Sequence, residues 1–263
     1  MGSVLAQKAI EQDCYKVTVI TKSSQKRAGE VWQSKALKHT NDLKRLPKNY
    51  HADIVFLAIK PQEAQDVLSK FYDESSSLKI FSNKTIFISI LAGKEIKFFE
   101  GIFGKSAKIL RSMPNLPIAN GNGIFAYMAN KNFSTSDLKV VENLFSNYGK
   151  TVILKNEKLF DVITAIFGSG PAYVFLLQEI LTKIAIGYKI NKDEALELVQ
   201  QLLLGSDIMS LANDKQPQQL RQEVTSKGGT TEAALAVLQK NDALENLFKK
   251  AIAAAITKAG GLK

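Results

Sequence analysis

The sequence predicts an α/β fold in which a mostly parallel sheet is followed by an all-helical C-terminal domain. In the first part of the chain, short apolar runs typical of strands alternate with helical stretches, which indicates crossover connections between parallel strands. After about residue 156 the strand signals cease and helical patterns take over. We therefore expect a first domain at residues 1–156 and a second at residues 157–263.

The elements of the first domain follow from hydrophobic patterning. The opening segment, MGSVLAQKAIEQ, predicts a helix, and residues 23–38 have helical character as well. The runs at residues 52–59 and 84–91 are apolar almost throughout, as expected of strands buried on both faces. Helices are expected after each run, to about Phe71 and over KEIKFFEGIF. Other extended segments are predicted at residues 16–21, KILRSMPNLP, GIFAYMAN and 151–155.

The second domain is expected to contain helices only. Pro171 stands where a first helical turn would begin, so the run GSGPAY at 168–173 predicts an abrupt helix start with free amides, or simply a helix cap. Asn191 is the expected N-cap of the next helix. The segment AYVFLLQEILTKIAIGYKI is apolar nearly all round, and such a helix needs more than one packing partner. This half is therefore expected to form a dimer interface.

Composition narrows the function classes. The chain has 263 residues, 45% hydrophobic and 23% charged, which is ordinary for a globular protein. We expect no apolar stretch of bilayer length, no secretory signal and no membrane partner. The net charge is +10, but the lysines are spread along the chain, which favours a solvated surface over a nucleic-acid site. Cys14, the only cysteine, is expected to be a buried small side chain in a reducing, cytoplasmic compartment.

Small residues and cations at the predicted strand ends are typical of a dinucleotide site. In such folds the ligand binds at the carboxyl edge of the sheet, beside a helix N-terminus. Thr21 ends the strand at residues 16–21, and Lys22 and Ser23 follow it. Hydroxyls with cations there suit a 2′-phosphate and favour NADP; a plain basic turn is the alternative. The other candidates lie at the predicted helix start or at later strand ends, namely Gly2, Ala58, Lys60, Pro61, Ala92 and Gly93.

Asn115 lies between two prolines in the run RSMPNLP, which predicts a rigid turn. An amide fixed in such a turn is placed to bond a carboxamide or a substrate. A purely structural turn is an equal alternative on the residues alone.

The run TSKGGTT at residues 225–231 places two adjacent glycines directly before a predicted helix. Unpaired amides at a helix N-terminus attract an anion, with about 0.3–1 kcal/mol from the helix dipole. Ser226, Thr230 and Thr231 add neutral hydrogen-bond donors around Gly228 and Gly229. The residues therefore indicate a site that holds a small carboxylate and shares a proton, whereas a capping box with Glu232 is the alternative.

Six segments in order and spacing resemble the pyrroline-5-carboxylate reductase family. They are MGSVL, FLAIKP, SILAG, MPN, GSGPAY and LRQEVTSKGGTTEAAL, and they span almost the whole chain. The resemblance implies a Rossmann-like domain and helical domains that interlock as a homodimer, with assembly into higher oligomers such as a decamer. Compared with the family, the first strand and the leading glycines of the phosphate-binding turn are missing.

The resemblance implies hydride transfer from NADPH or NADH to the ring C=N bond of 1-pyrroline-5-carboxylate, giving L-proline. No metal is expected, because His39 and His51 lie outside every motif and metal-ligand spacing is absent. Thr231 is expected to bond the imine nitrogen as the catalytic residue, in a pocket between a nucleotide domain and the helices of the dimer. The carboxylate would bind Ser226, Gly228, Gly229, Thr230 and Thr231, and the cofactor would lie against Ala58, Lys60, Pro61, Ala92, Gly93 and Asn115.

Two further positions depart from the family pattern. Lys227 stands where the family usually has proline, and Phe167 replaces the small residue usual before GSGP. The alternatives to the reductase are a related NADP-dependent hydroxy-acid dehydrogenase and a truncated, non-catalytic homologue that still dimerises.

Overall fold

The computed structural model describes residues 1–12, 14–21 and 37–261. These residues divide into two compact units, Met1–Ser169 with the segment from Ile256 onward, and Gly170–Ala255. The strands are β1 (Val17–Ile20), β2 (Leu37–Thr40), β3 (Ile54–Leu57), β4 (Ile86–Ser89), β5 (Lys108–Pro114), β6 (Gly123–Ala129) and β7 (Gly149–Ile153). The helices are α1 (Gly2–Ile10), α2 (Ala64–Ser77), α3 (Ile96–Phe103), α4 (Thr135–Phe145), α5 (Leu159–Ile163), α6 (Gly170–Gly187), α7 (Lys192–Leu211), α8 (Pro217–Glu223), α9 (Thr230–Leu238) and α10 (Ala243–Gly260).

The predicted class, a mostly parallel sheet followed by helices, is confirmed. Strands β3 to β7 form one sheet in chain order, and β1 pairs with β2 in a second, parallel sheet. Every pair in the five-stranded sheet is parallel except β5 with β6. That exception follows from a connection of one short 3₁₀ turn, Leu116–Asn120, which is too short for the crossover that a parallel pair requires.

The five-stranded sheet is covered on both faces. Along β4, Ile86 and Ile88 pack in a cluster with Leu5 of α1 and Phe145 of α4. Phe87, between them in sequence, packs on the other face in a cluster with side chains of α2 and α3. Because successive strand residues point to opposite faces, this arrangement explains why β4 is apolar at every position but the last.

Local patterning missed two elements of the first unit. Strand β2 begins at Leu37, within the last two residues of the segment 23–38 that was predicted to be helical, so the prediction was wrong at Leu37 and Lys38. The rest of that segment, residues 23–36, lies outside the described parts of the chain. In the sequence LKHT one apolar residue is followed by three polar ones, so the segment gives little hydrophobic signal. Helix α4 was not predicted, although Ser134 and Asp137 form a reciprocal capping box at its start.

Cys14 is exposed, so the expectation of a buried thiol was wrong. The residue lies in the short connection between α1 and β1, outside the apolar clusters of the sheet. Its small apolar character alone therefore did not determine its burial.

Helix α6 begins inside the run GSGP, at Gly170, as predicted, but the start is not abrupt, because a π-helical turn precedes it and only the bend at Ser169 interrupts the helical residues between 159 and 187. Helix α5 passes through a π-helical turn, Thr164–Gly168, into α6, and the N–H of Ser169 donates to the carbonyl of Thr164 at 2.9 Å. This 29-residue run is long enough, and over an 18-residue window apolar enough, to cross a membrane, so the expectation of no such stretch was also wrong. Only 11% of that apolar window is buried in a single chain.

The second unit exposes many large apolar side chains. Helices α6, α8 and α9 contain no buried residue. Phe175 is 56% exposed, Val237 72% and Leu211 87%. A single chain therefore leaves an apolar helical surface open, as expected of helices that pack against a second copy. Asn191 caps α7 as predicted, accepting from the N–H of Asp193 at 3.0 Å.

Candidate active site

The carboxyl ends of β3, β4 and β5 form one edge of the sheet. The parallel register aligns Leu57 with Ser89 and Ser89 with Arg111. The hydroxyl of Ser112 donates to the carbonyl of Ser89 at 2.9 Å and ties β5 to β4 at this edge. Most of the residues predicted to line a dinucleotide directly follow these strands, namely Ala58, Lys60, Pro61, Ala92, Gly93 and Asn115.

Helix α1 begins at the same edge. A Cβ atom added to Gly2 would lie 3.0 Å from the Cβ of Ala58, closer than ordinary side-chain contact. Glycine therefore allows the start of α1 to approach the end of β3. No side chain caps the N-terminus of this helix and its first turn carries no acidic residue, both of which favour an anion there.

Thr21 lies at the carboxyl end of β1. Its N–H donates to the carbonyl of Thr40 at 3.2 Å, and its hydroxyl lies 2.8 Å from Nε2 of His39. Lys22 and Ser23, the other predicted 2′-phosphate ligands, lie outside the described residues. The hydroxyl of Thr21 is thus held in place by the neighbouring strand β2.

The turn after β4 is shaped by Gly93. Its φ of +77° lies in the left-handed region, where side chains are strained. Ala92 packs against the small apolar cluster of Met113, Ala126, Leu154 and Phe160. A backbone with so little side chain at this edge leaves room for a flat ring.

Asn115 is buried, with 7% of its surface exposed, and its side-chain amide bridges two segments. Its Oδ1 accepts from the N–H of Ile124 at 2.7 Å, and its Nδ2 donates to the carbonyl of Phe167 at 3.1 Å. The predicted role, direct contact with the cofactor, stays a prediction. In the structure the amide oxygen and one amide hydrogen already bond to the protein.

The predicted substrate ligands lie in the loop before α9 and in the first turn of that helix. Gly228 has a φ of +74°, and its N–H donates to Oε2 of Glu232 at 2.7 Å. The N–H of Gly229 donates to the carbonyl of Ser226 at 3.0 Å, and a Cβ there would lie 2.5 Å from Oγ of Ser226. Both glycines are therefore required by the shape of this turn.

Thr230 and Thr231 are the first two residues of α9, and Gly229 is its N-cap. No side chain caps this end, so the threonines do not make the capping hydrogen bond that local sequence allowed. The first backbone N–H groups of a helix lack intrahelical acceptors, and the dipole favours an anion beside them. The hydroxyls of Ser226 and Thr231 belong to the same short segment, so the loop offers amides and hydroxyls together.

Sequence reasoning missed Arg111 and Glu157. Arg111 Nη1 donates to Oε1 of Glu157 at 2.8 Å, and the same oxygen accepts from the N–H of Ile96 at 3.0 Å. The guanidinium is 4.2 Å from the ring centre of Phe160. An arginine inside an apolar strand signals a buried charge that needs a partner, but the partner is 46 residues away in sequence.

Two protein-family models and several known proteins match this chain in sequence. A family model for pyrroline-5-carboxylate reductase dimerisation matches residues 157–262, and one for NADP oxidoreductases, coenzyme F420-dependent, matches residues 1–93. Pyrroline-5-carboxylate reductase 2 of Bacillus subtilis is 34% identical over 202 residues, covering 77% of this chain and 68% of the relative. The Haemophilus influenzae reductase is 40% identical over 190 residues, covering 71% of this chain and 67% of that protein.

Solved structures of pyrroline-5-carboxylate reductases match this chain over almost its whole length. The pyrroline carboxylate reductase of Plasmodium falciparum, crystallised with NADP bound, has a TM-score of 0.84 and 30% identity, covering 100% of this chain and 94% of that one. The Coxiella burnetii reductase has a TM-score of 0.79 and 31% identity, covering 99% and 93%. The fold and the strand-edge residues, with these matches, define the class as an NAD(P)H-dependent oxidoreductase with a helical dimerisation domain. Within that class, the chain belongs to the pyrroline-5-carboxylate reductase family.

Proposed function

We propose that this chain reduces 1-pyrroline-5-carboxylate to L-proline, the last step of proline biosynthesis, with NADPH as the reductant. The observation that carries the proposal is the segment Ser226–Thr231, in which two glycines and three hydroxyl residues form the turn before α9 and the uncapped first residues of that helix, inside the match to the family's dimerisation domain. The substrate has two polar features, a carboxylate and a ring C=N bond. The loop offers donors for both.

The carboxylate of the substrate is proposed to bind the free amides at the start of α9 together with Ser226 and Thr230. The amides of Gly228 and Gly229 are bonded to Glu232 and Ser226, so their part is to fix the loop. Thr231 is proposed to donate its hydroxyl to the ring nitrogen. A neutral hydroxyl suits this task, because it stabilises the nitrogen lone pair that forms without removing the proton that makes the imine electrophilic.

The residues at the sheet edge fit a dinucleotide. Gly2 and Gly93 bring bare backbone to that edge, and α1 supplies an uncapped N-terminus for a diphosphate. We propose that Gly2, Ala58, Lys60 and Pro61 hold the phosphate and ribose part, and Ala92 and Gly93 the nicotinamide. Bound NADPH supplies the hydride for the ring carbon of the C=N bond. The chain's own task is to align the two reactants, because effective proximity lowers the barrier more than any strong acid or base could here.

NADPH is proposed over NADH because Thr21 carries a hydroxyl, and no carboxylate, at the end of β1, followed in sequence by Lys22 and Ser23. An acidic residue at this position favours NAD, and cations with hydroxyls favour a 2′-phosphate. We also propose a cytoplasmic location, a domain boundary between residues 156 and 157, and assembly of dimers into higher oligomers such as a decamer, without nucleic-acid or membrane partners.

The direct test measures proline formation from 1-pyrroline-5-carboxylate with NADPH and with NADH by the loss of absorbance of the reduced nicotinamide. Substrate-dependent oxidation of NADPH with equal proline production is the expected result. The same preparation is assayed for NADP reduction by a series of hydroxy acids. Activity only with a hydroxy acid would favour the dehydrogenase, and no NADPH binding by an intact dimer would favour a non-catalytic homologue.

A further inference from the structure

The π-helical turn before α6 leaves one carbonyl without its helical donor. In an α-helix the N–H of residue 171 would bond the carbonyl of Phe167, but residue 171 is proline and has no N–H. The chain widens at this point, since the N–H of Ser169 reaches back to the carbonyl of Thr164. Single π-helical turns of this kind are common at functional sites.

Asn115 supplies the missing donor. Its Nδ2 bonds the carbonyl of Phe167 at 3.1 Å, and its Oδ1 is fixed by the N–H of Ile124 at 2.7 Å. The backbone N–H of Asn115 also pairs with the carbonyl of Ile124 at 3.1 Å, so the residue is held rigidly at the end of β5. The side chain thus clamps the π-helical turn to the sheet.

The turn that Asn115 holds lies beside the part of the sheet edge that is proposed to bind the nicotinamide. A Cβ added to Gly168 would lie 3.8 Å from Cγ and Sδ of Met113. Met113 belongs to the cluster against which both Ala92 and Ile163 pack. The turn and Ala92, one of the two residues assigned to the nicotinamide, therefore border the same apolar cluster, so a shift of the turn is expected to reach Ala92 through that cluster.

We propose that Asn115 is a positioning residue for hydride transfer, which acts by holding the Thr164–Gly168 turn against the sheet edge and not by bonding the cofactor itself. The inference rests on the proposed reductase function. It replaces a direct contact between Asn115 and the carboxamide of the cofactor by an indirect effect. The side-chain oxygen of Asn115 and one of its amide hydrogens already form hydrogen bonds within the protein.

The test exchanges Asn115 for Asp. Aspartate has nearly the same shape and keeps the acceptor for Ile124, but it loses the N–H and places a carboxylate against the carbonyl of Phe167. We expect kcat to fall by about tenfold or more, as when one well-placed donor is lost, while KM for the imine and for NADPH changes by less than about threefold. We also expect the kinetic isotope effect with NADPH deuterated at C4 to change, because donor–acceptor alignment is what the clamp sets.

Low pH gives a rescue measurement. A carboxyl facing a carbonyl oxygen has a raised pKa, and its protonated form can donate to that oxygen. The kcat of Asn115→Asp, divided by that of the wild type at the same pH, is therefore expected to rise as the pH is lowered from 8 to about 5. A residue that bonded the carboxamide directly as a hydrogen donor would be rescued too, but KM for NADPH would then shift together with kcat.

Asn130 provides the matched control. Its Nδ2 donates to Oε1 of Glu100 and to the carbonyl of Ala107, both at 2.9 Å. Asn115 directly follows β5, whereas Asn130 directly follows the antiparallel strand β6 and so lies at the opposite end of this strand pair. Asn130→Asp should lower the midpoint of thermal unfolding at least as much as Asn115→Asp and leave kcat and the isotope effect at their wild-type values. If Asn115→Asp does not fold as a dimer, Asn115→Ser removes the bond to Phe167 without adding charge and is measured instead.

The outcomes separate the two proposals. An active wild type with an Asn115 variant of unchanged kcat and isotope effect would overturn the positioning role and leave the reductase standing. A tenfold or greater rise in KM for NADPH would indicate a direct ligand and would overturn the role as well. A wild type that binds NADPH but forms no proline would overturn the proposed function and the inference with it.

Discussion

Arg111 and Glu157 form a buried ion pair that joins β5 to the segment before α5. Arg111 is 2% exposed, and its Nη1 lies 2.8 Å from Oε1 of Glu157. The guanidinium also stacks over Phe160, whereas Glu157 accepts from the N–H of Ile96 at the start of α3. One carboxylate therefore connects a strand, a helix start and the entry to the π-helical turn.

Breaking this pair should be costly. Glu157→Gln leaves a buried guanidinium without its counter-charge, and removing one partner of a buried pair costs about 3–5 kcal/mol. We expect a loss near the lower end of that range in the free energy of unfolding in urea, because the glutamine can still accept from Ile96. Glu223→Gln is the control, since Glu223 and its partner Lys215 are 45% and 47% exposed. It should cost less than about 1 kcal/mol, and equal costs for the two variants would contradict the prediction.

Thr231→Ala should lower turnover without loss of fold. The hydroxyl is proposed to stabilise charge developing at the ring nitrogen, and loss of such a donor costs about a hundredfold in kcat. The helix should not suffer, because no threonine side chain caps α9 and alanine is a good helix former. Steady-state kinetics and thermal unfolding of the same samples provide the measurement. Thr231→Ser, which keeps the hydroxyl, should recover most of the activity, and unchanged turnover of the alanine variant would remove Thr231 from the mechanism.

Acid should weaken the first unit through Asp137. Burial by itself would raise the pKa of this carboxyl, but the hydrogen bonds from Lys108 and Ser134 outweigh it and hold the pKa below its usual range. The unfolded chain thus binds this proton more readily than the folded one, so the stabilisation is present above about pH 4, the unfolded pKa. It is lost as the pH falls through the lower, folded pKa.

Thermal unfolding of wild type and Asp137→Asn between pH 7 and pH 3 measures this effect. The two midpoints should differ at neutral pH and converge in acid. Glu245→Gln is the control, because Glu245 and Lys249 pair on an exposed face of α10. Its midpoint should follow the wild type at every pH, and a constant gap between Asp137→Asn and the wild type down to pH 3 would contradict the assignment.

Phe175→Glu should convert the dimer into monomers. Phe175 is 56% exposed on α6, inside the dimerisation match at residues 157–262, and a charge there would have to be desolvated on association. Light scattering at several concentrations should show the mass halved. Ile153→Glu changes a similarly exposed apolar residue, 61% exposed on β7 outside that match, and should leave the mass unchanged. A dimeric Phe175→Glu protein would place the interface elsewhere.

Much of the fold was predictable because hydrophobic patterning is local. The run at residues 84–91 identified β4, and the polar side chain of Asn191 identified the start of α7. The glycine pair before α9 was likewise found from residue types, and its left-handed Gly228 gives the physical reason for that choice.

The missed features depend on contacts distant in sequence. Pro171 predicted a helix start, but the carbonyl that it leaves unbonded is satisfied by Asn115, 52 residues before Phe167. The bond partner of Arg111 is equally remote, so neither the π-helical turn nor the ion pair could be inferred from neighbouring residues. Strand β2 was missed for a different reason, because its four residues carry almost no apolar pattern.

The open apolar surface of α6 and its neighbouring helices makes the concentration of the protein a structural variable. Pairing with a second copy is expected to cover those side chains, so dilution should expose them and lower the melting temperature. A damaged copy that still folds its helices would also combine with intact ones. In such a mixed dimer the intact subunit is bound to a defective one. Dissociation would expose the apolar helices of both subunits, so the mixed dimer should persist.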